Sequence, residues 1–151
     1  MLISSKNICI IHFAFLNAIA YKLLTHPEDV SRHVVVFMIG RAMEMSIADF
    51  SEDDPALGFV AFLLLFIGAS DLAASMQQVP TYMELAAPFR LLLTFAVAIY
   101  AFFTNGDNEM IANSVVFAFC FLEMPIQFWL YITVREERAA RIRVLEVTDD
   151  K

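Results

Sequence analysis

Only four glycines, two cysteines and ten basic residues occur in this chain of 151 residues, and each shortage removes a class of protein. Four glycines cannot furnish an elaborate phosphate loop or dinucleotide fingerprint, and neither motif is present. Cys9 and Cys120 both fall inside apolar stretches, so buried thiols are expected and a disulfide framework is not. The basic residues form no patch interleaved with aromatics, which argues against nucleic-acid binding. His12, His26 and His33 lack metal-ligand spacing, and no G-x-S-x-G or H-E-x-x-H sequence occurs, so neither a metal nor a cofactor is expected. The net charge of −7 comes largely from acids between residues 28 and 54, a local acidic face.

What is abundant is apolar. The hydrophobic share is 60%, with fifteen phenylalanines, and the mean hydropathy is +0.66. A soluble chain of this size has no core large enough for so much Leu, Phe, Val and Ala. The expected environment is a bilayer, and the expected fold is an all-α bundle of four transmembrane helices in one domain.

The four apolar segments are read at about 8–24, 56–76, 85–103 and 111–134, with a tail over 135–151. About twenty residues of helix cross the ~30 Å hydrocarbon core. Ser51-Glu52-Asp53-Asp54-Pro55 offers capping acids and a first-turn proline before the second span. Thr104-Asn105-Gly106-Asp107 predicts a turn after the third. Lys6, the following apolar run and Ala18-Ile19-Ala20 mimic a signal peptide, but with Met1 ahead of them an uncleaved first span is the expectation. Between the first two spans, Val34-Val35-Val36-Phe37-Met38-Ile39 is too short to cross. It is expected as an amphipathic helix lying at the interface or packed on the bundle, with a re-entrant segment as the rival reading.

Four spans place both termini on one side. Lys6, Arg135, Arg138, Arg141, Arg143 and Lys151 lie there, against Lys22, Arg32 and Arg41 opposite. The positive-inside rule therefore expects cytosolic termini and a lumenal first loop. Trp129 and Tyr131 fit an interfacial aromatic belt.

Three ionisable residues, Asp71, Arg90 and Glu123, stand inside otherwise apolar spans, where each needs a partner or a wet cavity. Asp71 lies six residues before Gln77 and Arg90 six after Glu84. On an antiparallel hairpin both sit about 9 Å from the same membrane edge, the depth match an ion pair requires. Such a pair fixes register; binding a lipid headgroup is the functional rival. Gly68, Asp71, Ala74 and Ser75 share a helical face whose small residues admit another backbone. Whether that contact is internal or with a partner stays open. Cys120, Glu123, Gln127 and Tyr131 form a polar stripe, and Pro125 frees the Phe121 carbonyl beside it. Gly68, Ser75, Glu123 and Gln127 are thus the candidate partner or lipid contacts. Asn17 and Tyr21 are read as interhelical hydrogen-bond donors.

Several segments carry a family likeness: Tyr21-Lys22-Leu23-Leu24-Thr25, Gly68-Ala69-Ser70-Asp71-Leu72, and Pro88-Phe89-Arg90-Leu91-Leu92. To these the last span adds Asn113-Ser114-Val115-Val116-Phe117, Phe121-Leu122-Glu123-Met124 and the run from Trp129 to Arg138. In their order the chain resembles the fungal "increased loss of mitochondrial DNA" family of small endoplasmic-reticulum membrane proteins. The resemblance implies a four-helix protein whose loss harms mitochondrial genome maintenance indirectly, with no catalytic residue. Pro125 and Gln127 depart from the more aromatic last span of that family.

Three functions follow in order of expectation. The first is a structural or adaptor subunit of a larger endoplasmic-reticulum membrane complex. The second is a lipid-binding or lipid-transfer role at contact sites, with membrane lipids as ligands. The third is a small membrane isomerase using Glu123 as proton carrier. It needs a second acid or base at the same depth, and Asp71 is read as too near one edge.

Overall fold

The computed structural model describes residues 4–51, 54–76, 80–104 and 110–149. Six helices follow one another: α1 (Ser5–Thr25), α2 (Pro27–Ser31), α3 (Val34–Ala42), α4 (Pro55–Met76), α5 (Pro80–Phe103) and α6 (Ser114–Asp149). Among the described residues the only β-type pairing is an isolated bridge between Ser46 and Asn113. Four helices are long and apolar enough to cross a membrane, over Ser5–Thr25, Pro55–Met76, Tyr82–Phe103 and Ser114–Val144. At 1.5 Å per residue, the 21 residues of α1 extend about 31 Å.

Local chemistry sets the helix starts. Pro55 opens α4, and the Asp54 carboxylate accepts a hydrogen bond from the Ala56 N–H at 2.9 Å. Asn113 caps α6, its side-chain oxygen accepting from the Val115 and Val116 N–H groups at 3.1 and 3.0 Å. The expected Asn-Gly turn and the link at 77–79 lie outside the described residues, as do Glu52 and Asp53. The helix bounds differ from the sequence reading most at two places. α5 begins at Pro80, not 85, because proline is favoured in a first helical turn. α6 runs unbroken through the charged cluster to Asp149, so the tail is helical as far as it is described.

The apolar run of the first loop becomes α3, a nine-residue helix set on the start of α6. Gly40 makes this approach possible. A Cβ there would stand 2.6 Å from the Ser114 Cβ. Past α3, the Ser114 N–H donates to the Ser46 carbonyl at 2.8 Å, and the Ser46 hydroxyl to the Ala112 carbonyl at 2.8 Å. Gly40→Ala is therefore expected to push α3 away from α6. Overpacking of this kind costs about 1–3 kcal/mol, which thermal unfolding in detergent would read.

The helix pairing departs from the expected hairpin. α4 packs mainly along α1 and α5 along α6, while α4 and α5 meet over a smaller area. Each pairing follows small residues. Gly68 of α4 lies against Phe13 and Leu16, its built Cβ only 3.1 Å from the Phe13 ring. Ala20, Leu23, Leu57 and Ala61 join α1 to α4, while Ala98, Ala101, Phe117 and Cys120 join α5 to α6. The outward faces carry the bulk. Phe59, Phe62 and Phe66 of α4 and Phe89, Leu92 and Phe95 of α5 are exposed, an arrangement suited to hydrocarbon.

Candidate functional site

Between those apolar layers lies one polar network to which all four spans contribute. α1 supplies His12, α4 Asp71, α5 Arg90 with Tyr82, and α6 Glu123 with Gln127. His12 and Asp71 are each 1% exposed, Glu123 5% and Gln127 0%.

The imidazole is the hub. Its Nε2 lies 2.8 Å from Glu123 Oε1, a hydrogen bond, and its Nδ1 lies 3.4 Å from Asp71 Oδ2. The second contact is ionic in distance, but Nδ1 makes no hydrogen bond. Glu123 Oε1 also accepts from the Gln127 amide at 2.7 Å. Asp71 carries more partners: the Arg90 guanidinium donates to Oδ2, and the Tyr82 hydroxyl approaches Oδ1 at 3.5 Å. Arg90 Nη2 in turn donates to the Tyr82 oxygen at 3.3 Å.

Charge balance explains how this assembly survives in a low-dielectric interior. Arg90 and Asp71 cancel. His12 and Glu123 cancel whether they stand as imidazolium and carboxylate or as neutral imidazole and carboxylic acid, so one proton placed on either keeps the cluster neutral. Such neutrality avoids the several kcal/mol that an unpaired buried ion would cost. Some capacity is left over: Glu123 Oε2 and Gln127 Oε1 are buried without a hydrogen bond.

The sequence placed Asp71 and Arg90 together, and the structure joins them. It turns Gly68 toward Phe13 and Leu16, sets Ser75 beside the Cys9 thiol, and holds Glu123 and Gln127 within the chain. In this chain the neighbours of Gly68, Glu123 and Gln127 are therefore its own helices. Asp71 and Glu123 both face the His12 ring, which stands where the sequence reading looked for a second acid or base near Glu123. One reading is corrected. Asn17 donates to the Phe13 carbonyl of its own helix at 3.3 Å, and Tyr21 is exposed, so neither bridges helices.

His12 is the residue that sequence reasoning passed over. Its signal is positional, for it shares a four-residue stripe with Ile8, Leu16 and Ala20, all buried, while the neighbouring Ile11 and Ile10 face outward. A second set of contacts ties the helix ends. Glu137 of α6 accepts from the Ser5 N–H at 2.9 Å and the Ser5 hydroxyl at 2.7 Å, a carboxylate at the positive end of α1. Arg138 and Arg141 both reach Glu84 of α5, at 3.2 and 3.1 Å. At the opposite end the Lys22 ammonium, 3.0 Å away, holds the exposed Asp29 carboxyl below its ordinary range.

Fold and network together define a small all-helical membrane protein of four spans with an internally neutralised charge cluster. The family model described as Ilm1, Increased loss of mitochondrial DNA protein 1, matches residues 3–143, and the chain belongs to that family. It is 29% identical over 136 residues to Protein ILM1 of Saccharomyces cerevisiae, covering 90% of this chain and 66% of that protein. The chain thus spans just under two thirds of that relative's length. It is 24% identical over 144 residues to Protein ilm1 of Schizosaccharomyces pombe, covering 95% of this chain and 88% of that protein. No solved structure matches.

Proposed function

We propose that the chain is a non-enzymatic integral protein of the endoplasmic-reticulum membrane with both termini in the cytosol. It acts as a structural or adaptor subunit of a larger membrane assembly, and its link to mitochondrial DNA maintenance, named in the family description, is indirect. The reticulum location rests on the family resemblance, the orientation on the distribution of Lys and Arg.

One observation carries the adaptor reading. The ionisable groups of the network, His12, Asp71, Arg90 and Glu123, pair with one another, while α4 and α5 offer broad apolar outer faces. Glu123 is 5% exposed and bonded to His12 and Gln127, so what the bundle offers a partner is its stability and its outer surface. That burial speaks against the isomerase reading. Extraction from native membranes in a mild detergent, followed by native-size analysis, is the test. The expected species is much larger than the 17.1 kDa chain with its detergent. A lone chain with no stable partner would overturn the proposal.

A further inference from the structure

The buried apolar clusters divide the bundle differently at its two ends. Where α1 begins, a single cluster holds Ile8 of α1, Met83 of α5 and Leu130 of α6, with Ala74 of α4 packed against it, so all four spans meet. At the opposite end the apolar packing is split between helix pairs. One cluster, containing Ala20 and Ala61, lies between α1 and α4. The other, containing Ala98 and Phe117, lies between α5 and α6. The extensive pairings run within these two bodies, and the seam between them, α1 on α6 and α4 on α5, is slighter.

The polar network stands at the border between the joined end and the divided end. On its own span each ionisable residue is one turn from the shared cluster: His12 from Cys9, Asp71 from Ala74, Arg90 from Ala87 and Glu123 from Ile126. Two of its contacts cross the seam. His12 to Glu123 joins α1 to α6, and Arg90 to Asp71 joins α5 to α4. An apolar seam has little drive of its own to close in hydrocarbon, because lipid tails are as apolar as the side chains of the facing helix. Each body is held instead by close packing at small residues, which does not depend on the network.

At the divided end the first loop lies across the seam as a strap. α2 touches both α1 and α6. Val30 and Phe50 pack on the cluster of α1 and α4, whereas Ile39 and Met45 join that of α5 and α6. Such a strap limits how far the bodies can part without fusing them into one core.

We propose that the fold is a hinge of two rigid bodies, α1 with α4 and α5 with α6, latched by the buried polar network and free to part beneath the strap when that latch is broken. The shared cluster at the α1 start is the pivot, and hinge closure of packed bodies is an established kind of two-state motion. The device couples four buried ionisable side chains to the separation of the helix ends under the first loop.

Pulsed electron paramagnetic resonance on the full chain in phosphatidylcholine nanodiscs reads this movement, with Cys9→Ala and Cys120→Ala removing the native thiols. Spin labels go on exposed positions in three pairs. Phe59→Cys with Phe103→Cys spans the seam at the strap end, and Met76→Cys with Leu85→Cys spans it at the pivot end. Leu24→Cys with Phe59→Cys lies within the α1 and α4 body. Glu123→Leu should lengthen the first distance by about 3 Å, the swing that a tilt of about 10° gives over the ~16 Å of helix between His12 and Leu23. The second and third distances should stay as they are. Asp71→Leu combined with Arg90→Leu cuts the other cross-seam link without stranding a charge, and should have the same effect. Selective lengthening of the first distance in either variant supports the hinge. If neither variant shows it, whether the distances stay fixed or all three spread together, the hinge is overturned. The nanodisc holds no partner protein, so the outcome stands apart from that of the adaptor reading.

Discussion

Replacing Arg90 with leucine is expected to destabilise the folded bundle by about 3 kcal/mol, the scale for orphaning one member of a buried ion pair. Asp71, only 1% exposed, would keep the Tyr82 hydroxyl at 3.5 Å and the ionic approach of His12, neither of which replaces a guanidinium. Asp71→Leu should cost less. The Arg90 side chain retains 24% exposure against 1% for Asp71, so an unpaired guanidinium can reach out of the bundle on its long stem more readily than the carboxylate can. The double replacement removes both charges at once and should recover at least half of the Arg90→Leu loss. Thermal melts in micelles of the four variants give the coupling directly as a double-mutant cycle. If the double variant is no more stable than the sum of the two single losses, Asp71 and Arg90 are not neutralising each other, and the account of the network fails.

How far this arrangement was readable before the fold is a matter of what each signal encodes. Hydropathy and capping chemistry locate the spans, since Asp54 with Pro55 and the polar stop before Ser114 are local features. Helix continuation beyond Val134 is not encoded that way. Arg135, Glu136, Glu137 and Arg138 mark where the chain leaves apolar surroundings, but all four are good helix formers, so α6 continues. Pairing among spans is less legible still. Nearness in the chain suggested α4 on α5, whereas Gly68 and Ala61 let α1 come closer to α4 than α5 does. His12 was hidden for a related reason. A single histidine on an apolar helix has no meaning until the helices that face it are known, and its two partners lie 59 and 111 residues away. By contrast, Asp71 and Arg90 are 19 residues apart across one link, near enough for depth counting to join them.

Glu123 offers the sharpest separation between holding and catalysing. In Glu123→Gln the retained oxygen can still accept from His12 and Gln127, and the new amide replaces Oε2, which has no hydrogen bond in the native chain. The expected loss is at most about 1 kcal/mol. Glu123→Leu strands both the His12 Nε2 and the Gln127 amide in a buried site. At about 1–3 kcal/mol for each orphaned group, it should cost roughly 2–6 kcal/mol and deplete the protein from membranes. His12→Leu falls between them, since Gln127 still satisfies Glu123 and Arg90 still satisfies Asp71. Activity then divides the readings, because a glutamine forms these hydrogen bonds but cannot carry a proton. If the network pins helices, cells with Glu123→Gln keep their mitochondrial DNA and cells with Glu123→Leu lose it in step with protein abundance. If Glu123→Gln protein accumulates normally and mitochondrial DNA is lost all the same, the carboxyl proton is required. A purely structural role for the cluster then falls.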